Sequence, residues 1–126
     1  MSGPGYIFNR PFTPGGAITQ FRLVKFSATD TVVQCTAAAD NPIGIAQETI
    51  SAQDVTDGRQ VSVALFGAAR AIAGAAITAG AVLMNDTSGR VITATSTNFA
   101  VGRAIQAASN AGDHLDIILN PAGVVI

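Results

Sequence analysis

The chain has 126 residues, enough for one compact domain with a real core and too few for two independent ones. Hydrophobic residues make up 48% and charged residues only 12%, against roughly 25% in an average soluble domain, and the net charge is −1. So little repulsion between copies points to an obligate oligomer or a part of a larger assembly.

Residues 1–16 read as an extended N-terminal arm. Gly3, Pro4, Gly5, Pro11, Pro14, Gly15 and Gly16 work against helix and regular ladder pairing. Tyr6, Ile7, Phe8 and Phe12 are too many large apolar side chains for a solvated tail. Such a segment orders on contact with a partner or folds back on its own domain. With Arg10, these four are the candidate residues for contact with a partner or a neighbouring subunit.

From Phe21 the chain reads as short strands over 21–26, 31–36, 43–47, 60–66, 69–73, 81–84, 90–94, 101–106 and 114–119. Turn clusters separate them, among them Asp40-Asn41-Pro42, Thr56-Asp57-Gly58 and Asp86-Thr87-Ser88-Gly89. Ser51 is placed to cap a short helix or turn over 51–55, before Asp54. The alanine-rich stretch 68–81 is the least defined. Alanine favours helix, but Gly67, Gly74 and Gly80 with Ile72, Ile77 and Thr78 favour a strand, a turn at Gly74-Ala75 and a new start. The expected fold is all-β, a small barrel or sandwich.

Residues 17–69 recur from 76 to 126. Ala17-Ile18-Thr19 matches Ala76-Ile77-Thr78, and Val32-Val33 matches Val91-Ile92, at an offset of 59 (76 − 17). Ile43-Gly44-x-Ala46 matches Val101-Gly102-x-Ala104 at 58 (101 − 43), and Val61-x-Val63-x-Leu65 matches Leu115-x-Ile117-x-Leu119 at 54 (115 − 61). Two similar β-units within a single domain over 17–126 follow, the drifting offset marking loops that changed length. Gly44 and Gly102 fall inside equivalent strands, where a recurring glycine signals a bulge or a close backbone crossing.

The residues that carry chemistry form no known constellation. His114 and Asp116 share a strand face, as a base and its orienting carboxylate would, yet no nucleophile motif accompanies them, and a solvated face explains them better. One Cys, one His and dispersed carboxylates give no metal-ligand spacing, and turn chemistry accounts for Asp54 and Asp57. No catalytic residue, metal or cofactor is expected. Arg10, Arg22, Lys25, Arg59, Arg70, Arg90 and Arg103 are spread along the chain with no basic stripe, so nucleic acid is not an expected partner. Nor is a membrane: Val61 to Met84 is interrupted by Arg70 and glycines, and Met1 to Gly5 has no signal-peptide character. Cys35 alone excludes an internal disulfide and fits synthesis in a reducing cytosol.

The ordered blocks Gly-Ala-Ile-Thr, Leu-Val-Lys, Val-Val, Ile-Gly-Ile-Ala and Gly-Arg-Gln-Val-Ser-Val-Ala-Leu-Phe-Gly between Gly16 and Gly67 resemble the cement, or decoration, proteins of tailed bacteriophage capsids. Ala73 to Leu83, Gly89 to Ile92 and Val101 to Ala104 continue the likeness, which leaves the arm outside. The resemblance implies a structural protein made in the host cytoplasm and carried on the virion, bound to the outside of the major capsid protein lattice. It also implies self-association as a homotrimer, or as a dimer at two-fold positions, and stabilisation of the head. Avidity across a many-copy lattice suits modest affinity per contact. Competing readings are a phage tail, fibre or head–tail component, a small hydrolase using His114 and Asp116, and a glycan-binding module using Tyr6, Phe8 and Phe12.

Overall fold

The computed structural model describes residues 7–95 and 99–120. Nine strands and one short helix follow in order: β1 (Ile7–Pro14), β2 (Leu23–Ala28), β3 (Thr31–Gln34), β4 (Gly44–Ala46), α1 (Ala52–Thr56), β5 (Val61–Ile72), β6 (Val82–Asn85), β7 (Val91–Thr93), β8 (Gly102–Ala104) and β9 (His114–Leu119). The sheet runs β1-β3-β2-β4-β5-β9-β8-β6-β7, and β1 also pairs with β5. The first five strands thereby close into a barrel, which decides the barrel-or-sandwich alternative. Closure gives every strand of that circuit two neighbours.

The expected repeat appears in the pairing register. Leu23↔Ile45 and Val24↔Gly44 in β2–β4 recur as Val82↔Arg103 and Leu83↔Gly102 in β6–β8. Ile45↔Ala64 and Ala46↔Val63 in β4–β5 recur as Arg103↔Ile118 and Ala104↔Ile117 in β8–β9. The repeat also reaches further back than residue similarity does. Pro14↔Val32, which joins β1 to β3 in parallel, recurs as the parallel bridge Ala73↔Val91. Phe12↔Val61 recurs as Ala71↔Leu115. The second half of β5 therefore does for the second unit what β1 does for the first. β5 is the last strand of one unit and the first of the next.

Two expectations change accordingly. The separate strands at 60–66 and 69–73 are one strand of 12 residues. Gly67 carries the chain through the join with φ +100, a conformation that glycine adopts freely. The N-terminal segment, whose glycines and prolines work against regular ladder pairing, nevertheless pairs with β5 from Ile7 to Phe12, the fold-back alternative. Pro11 is tolerated because β3 meets β1 only at Thr13 and Pro14, leaving the strand an open edge at the proline.

Each unit has its own apolar filling. Phe12, Ile18, Val24, Val32, Ala46, Ile50, Val61 and Val63 fill the first. Their equivalents Ala71, Ile77, Leu83, Val91, Ala104, Ala108, Leu115 and Ile117 belong to the second. Where Phe12 gives way to Ala71, Val61 and Val63 give way to the larger Leu115 and Ile117, so volume is redistributed at fixed positions. α1 begins with Ser51 as its N-cap: the Ser51 hydroxyl accepts from the Asp54 N–H, and the Asp54 carboxylate accepts from the Ser51 N–H.

Candidate interaction surface

The chemistry-bearing side chains are dispersed or tied to structural partners. His114 is exposed on the outward side of β9, its ring edge-on to Phe21 at 5.7 Å. Asp116, on the same side, faces Arg70 across the β5–β9 ladder at 3.5 Å. An open strand face and a carboxylate engaged with arginine explain this pair without acid–base work. Cys35 is fully buried, and burial pushes its thiol up to about 12, which removes its nucleophilic form at neutral pH. Among the described residues no group of three His, Cys, Asp or Glu side chains could hold a metal ion. No helix there is long and apolar enough to cross a membrane.

The cations are also spoken for. Arg10 pairs with Asp30 at 3.2 Å, Lys25 with Asp40 at 2.8 Å and Arg90 with Asp86 at 3.1 Å. Arg59 bridges Glu48 and Asp54 at 3.2 and 3.3 Å. Arg22 donates to the Ser88 carbonyl and Arg103 to the Gly80 carbonyl. Burial alone would raise the Asp40 carboxyl. The Lys25 ammonium and the Thr36 and Ala37 N–H groups outweigh that and hold it below the usual carboxylate range.

The expected contact residues divide. Tyr6 lies outside the described residues, as do the side chains of Ile7 and Phe8. The Arg10 side chain is exposed, its guanidinium 4.6 Å from the centre of the Phe12 ring. Phe12 is only 3% exposed and faces the barrel interior, so its ring anchors β1 and offers no outward surface. Sequence reasoning missed the residues that do offer one: Phe26 (53% exposed), Phe66 (59%), Ile105 (46%) and Ile118 (52%). Alternation alone could have found Ile118, which lies between the inward Ile117 and Leu119.

One seam inside the molecule is also relevant to binding. The β6–β7 hairpin of the second unit lies on the outer face of the first. Leu23 N–H donates to the Gly89 carbonyl at 2.7 Å, and Arg22 and Gln34 donate to the Ser88 carbonyl at 2.8 and 3.0 Å. The Asn85 amide donates to the Ala37 carbonyl at 2.8 Å. Leu23, Ile45 and Ala64, on the outer face of the first unit, are fully buried among residues of the second. Gly89 has φ +76, and an added Cβ would stand 3.2 Å from both Arg22 Cβ and Gln34 Cγ, so a bare backbone is needed for this approach.

Comparison with known proteins fits this arrangement. The phage cement protein family matches residues 43–119, well over half of the chain. No curated protein matches. Among solved structures, the N base of the head fiber gp8.5 of bacteriophage phi29 superposes with a TM-score of 0.68 at 17% identity, covering 94% of this chain and 98% of that one. At that identity the likeness is one of fold. The matched segment runs from the entry into β4 to the end of β9, and on that match the chain belongs to the phage cement protein family.

Proposed function

We propose that this protein is a capsid decoration protein. It binds the outer surface of the assembled major capsid lattice, as a homotrimer, and stabilises the head. The observation that carries this reading is the family match over 43–119. The surface chemistry supports it. Cations already engaged with carboxylates or carbonyls are poor phosphate ligands, whereas a weakly charged surface offers little repulsion to protein–protein contact. On this reading the protein is no enzyme, is made in the host cytoplasm and resides on the virion surface. Tyr6 and the first residues of β1, Ile7 and Phe8, with the exposed Arg10, reach the capsid or a neighbouring copy, and Phe12 holds their strand in the barrel.

Imaging of native particles by cryo-electron microscopy tests the reading. Hundreds of copies over the head, on the symmetry of the capsid lattice, are expected. A few copies on the tail axis would overturn it. Deletion of residues 2–6 tests the Tyr6 part of the N-terminal contact while leaving β1 intact, and unchanged capsid occupancy would refute that part. A second reading, the base of a head fibre, is favoured by the fold of the gp8.5 N base. It predicts sparse copies, each carrying a projection.

A further inference from the structure

The internal repeat leaves one half of its own seam unused at each end of the molecule. The row Leu23, Ile45, Ala64 on the first unit is covered by the β6–β7 hairpin. The equivalent row on the second unit is Val82, Arg103, Ile118, continuing to Ala68 on β5. This row lies open: Ile118 is 52% exposed, Arg103 is exposed, and Val82 and Ala68 are half-buried. The equivalent of the covering hairpin is the turn between β2 and β3, residues 27–31, which is exposed from Ser27 to Asp30, with Phe26 at its base 53% exposed. Asp30 has φ +53 where Gly89 has φ +76, so the two turns share their left-handed corner. Among the described residues the hairpin is held only to its own β1, by Thr13 N–H to the Asp30 carbonyl at 2.9 Å and by Arg10, so one molecule carries an exposed hairpin and an exposed receiving face.

We infer that a second copy of this chain docks head to tail, its β2–β3 hairpin seated on the Val82–Arg103–Ile118 face as the β6–β7 hairpin is seated on Leu23–Ile45–Ala64. The substitutions between the repeats are complementary. Asp30 has a side chain where Gly89 has none, and the receiving residues shrink to match: Ala81 stands for Arg22 and Thr93 for Gln34. Arg103 replaces Ile45 on the receiving face; exposed, uncompensated by any carboxylate among the described residues and held only to the Gly80 carbonyl at 3.2 Å, it brings a cation to a hairpin whose tip bears the exposed carboxylate of Asp30. The Arg10–Asp30 pair at 3.2 Å is solvent-exposed on both sides and so weak enough to be exchanged. A contact of this kind joins two different patches and generates a ring when the rotation closes, an open filament when it does not. The inference rests on the homotrimer of the proposed function, for which it names the surface, and requires no capsid.

The test uses the full chain in solution. Within the molecule Arg22 meets Ser88, so the cross-copy equivalents are Ala81 and Thr29. A mixture of Ala81→Cys and Thr29→Cys proteins is expected to give an intermolecular disulfide under mild oxidation that neither variant gives alone. A doubly substituted chain is expected to give a ladder ending at three. Ile118→Asp, at an exposed position, is expected to keep the fold by circular dichroism and to weaken association by about tenfold or more in sedimentation. Wild-type monomer at every concentration overturns the inference. So does equal cross-linking by either variant alone, or a mixture without cross-link together with unchanged association of Ile118→Asp. A ladder that continues past three keeps the head-to-tail surface and refutes the trimer instead.

Discussion

Replacing Gly102 by alanine tests the way β8 crosses β9. A Cβ at this position collides with the Ile118 carbonyl, and the backbone sits at φ +147, which L side chains rarely adopt. Backbone cannot rotate away as a side chain can, so the strands must separate. Overpacking costs about 1–3 kcal/mol, and the backbone conformation adds about 1–3 kcal/mol. A Cβ at Gly44, its repeat equivalent, would collide with the Ala64 carbonyl and stand 2.8 Å from Val63 Cγ1, but Gly44 has no positive φ. Gly44→Ala should therefore cost only the overpacking, about 1–3 kcal/mol. Gly58, at φ +79 with open space around it, isolates the conformational part at about 1–2 kcal/mol. Gly16, with neither obstacle, should be neutral or stabilise by up to about 1 kcal/mol as alanine. Urea unfolding of the four variants gives the order, Gly102 worst, then Gly44, Gly58 and Gly16, with the slope unchanged. Gly102→Ala and Gly44→Ala both lying within about 0.5 kcal/mol of wild type would refute the close-crossing argument.

Phe12→Ala should lose about 3–5 kcal/mol in the same unfolding measurement, whereas Tyr6→Ala should leave stability within about 0.5 kcal/mol; equal losses would mean that β1 is held from outside the barrel. The lowered Asp40 carboxyl contributes stability that is complete above its unfolded value of about 4 and is lost as pH falls through its lower folded value. Asp40→Asn should thus cost about 1–2 kcal/mol at pH 7 and progressively less toward pH 2, read from unfolding midpoints across pH. Cys35 should resist alkylation in the native protein at neutral pH and react at the rate of global opening, so that labelling follows denaturant exactly as unfolding does. Fast labelling without denaturant would contradict its burial.

Local patterns were legible wherever one residue's environment depended on near neighbours. Ser51 with Asp54 announced the cap of α1, and the alternation Leu115, Ile117, Leu119 announced the inward face of β9. Gly44 and Gly102 announced a close crossing, which the Ala64 and Ile118 carbonyls supply. The join at Gly67 was not legible, because alanine at 68, 69 and 71 has no strand preference of its own and is held extended by pairing with β9. Nor was the equivalence of 7–14 with 66–73. Interior positions require a filled volume, and Phe12 opposite Val61 fills it as Ala71 opposite Leu115 does, so no residue identity survives for comparison.

By itself the sequence determined an all-β chain of two repeated units with little charge, since period, turn residues and composition are local quantities. Only the tertiary structure decided that the units share β5, that the segment from Ile7 to Pro14 closes the first barrel, and that Leu23, Ile45 and Ala64 are covered while Val82, Arg103 and Ile118 are open. Those outcomes depend on pairings and packing between residues far apart in the chain. A strand's two faces read alike in sequence until another part of the fold comes to rest on one of them.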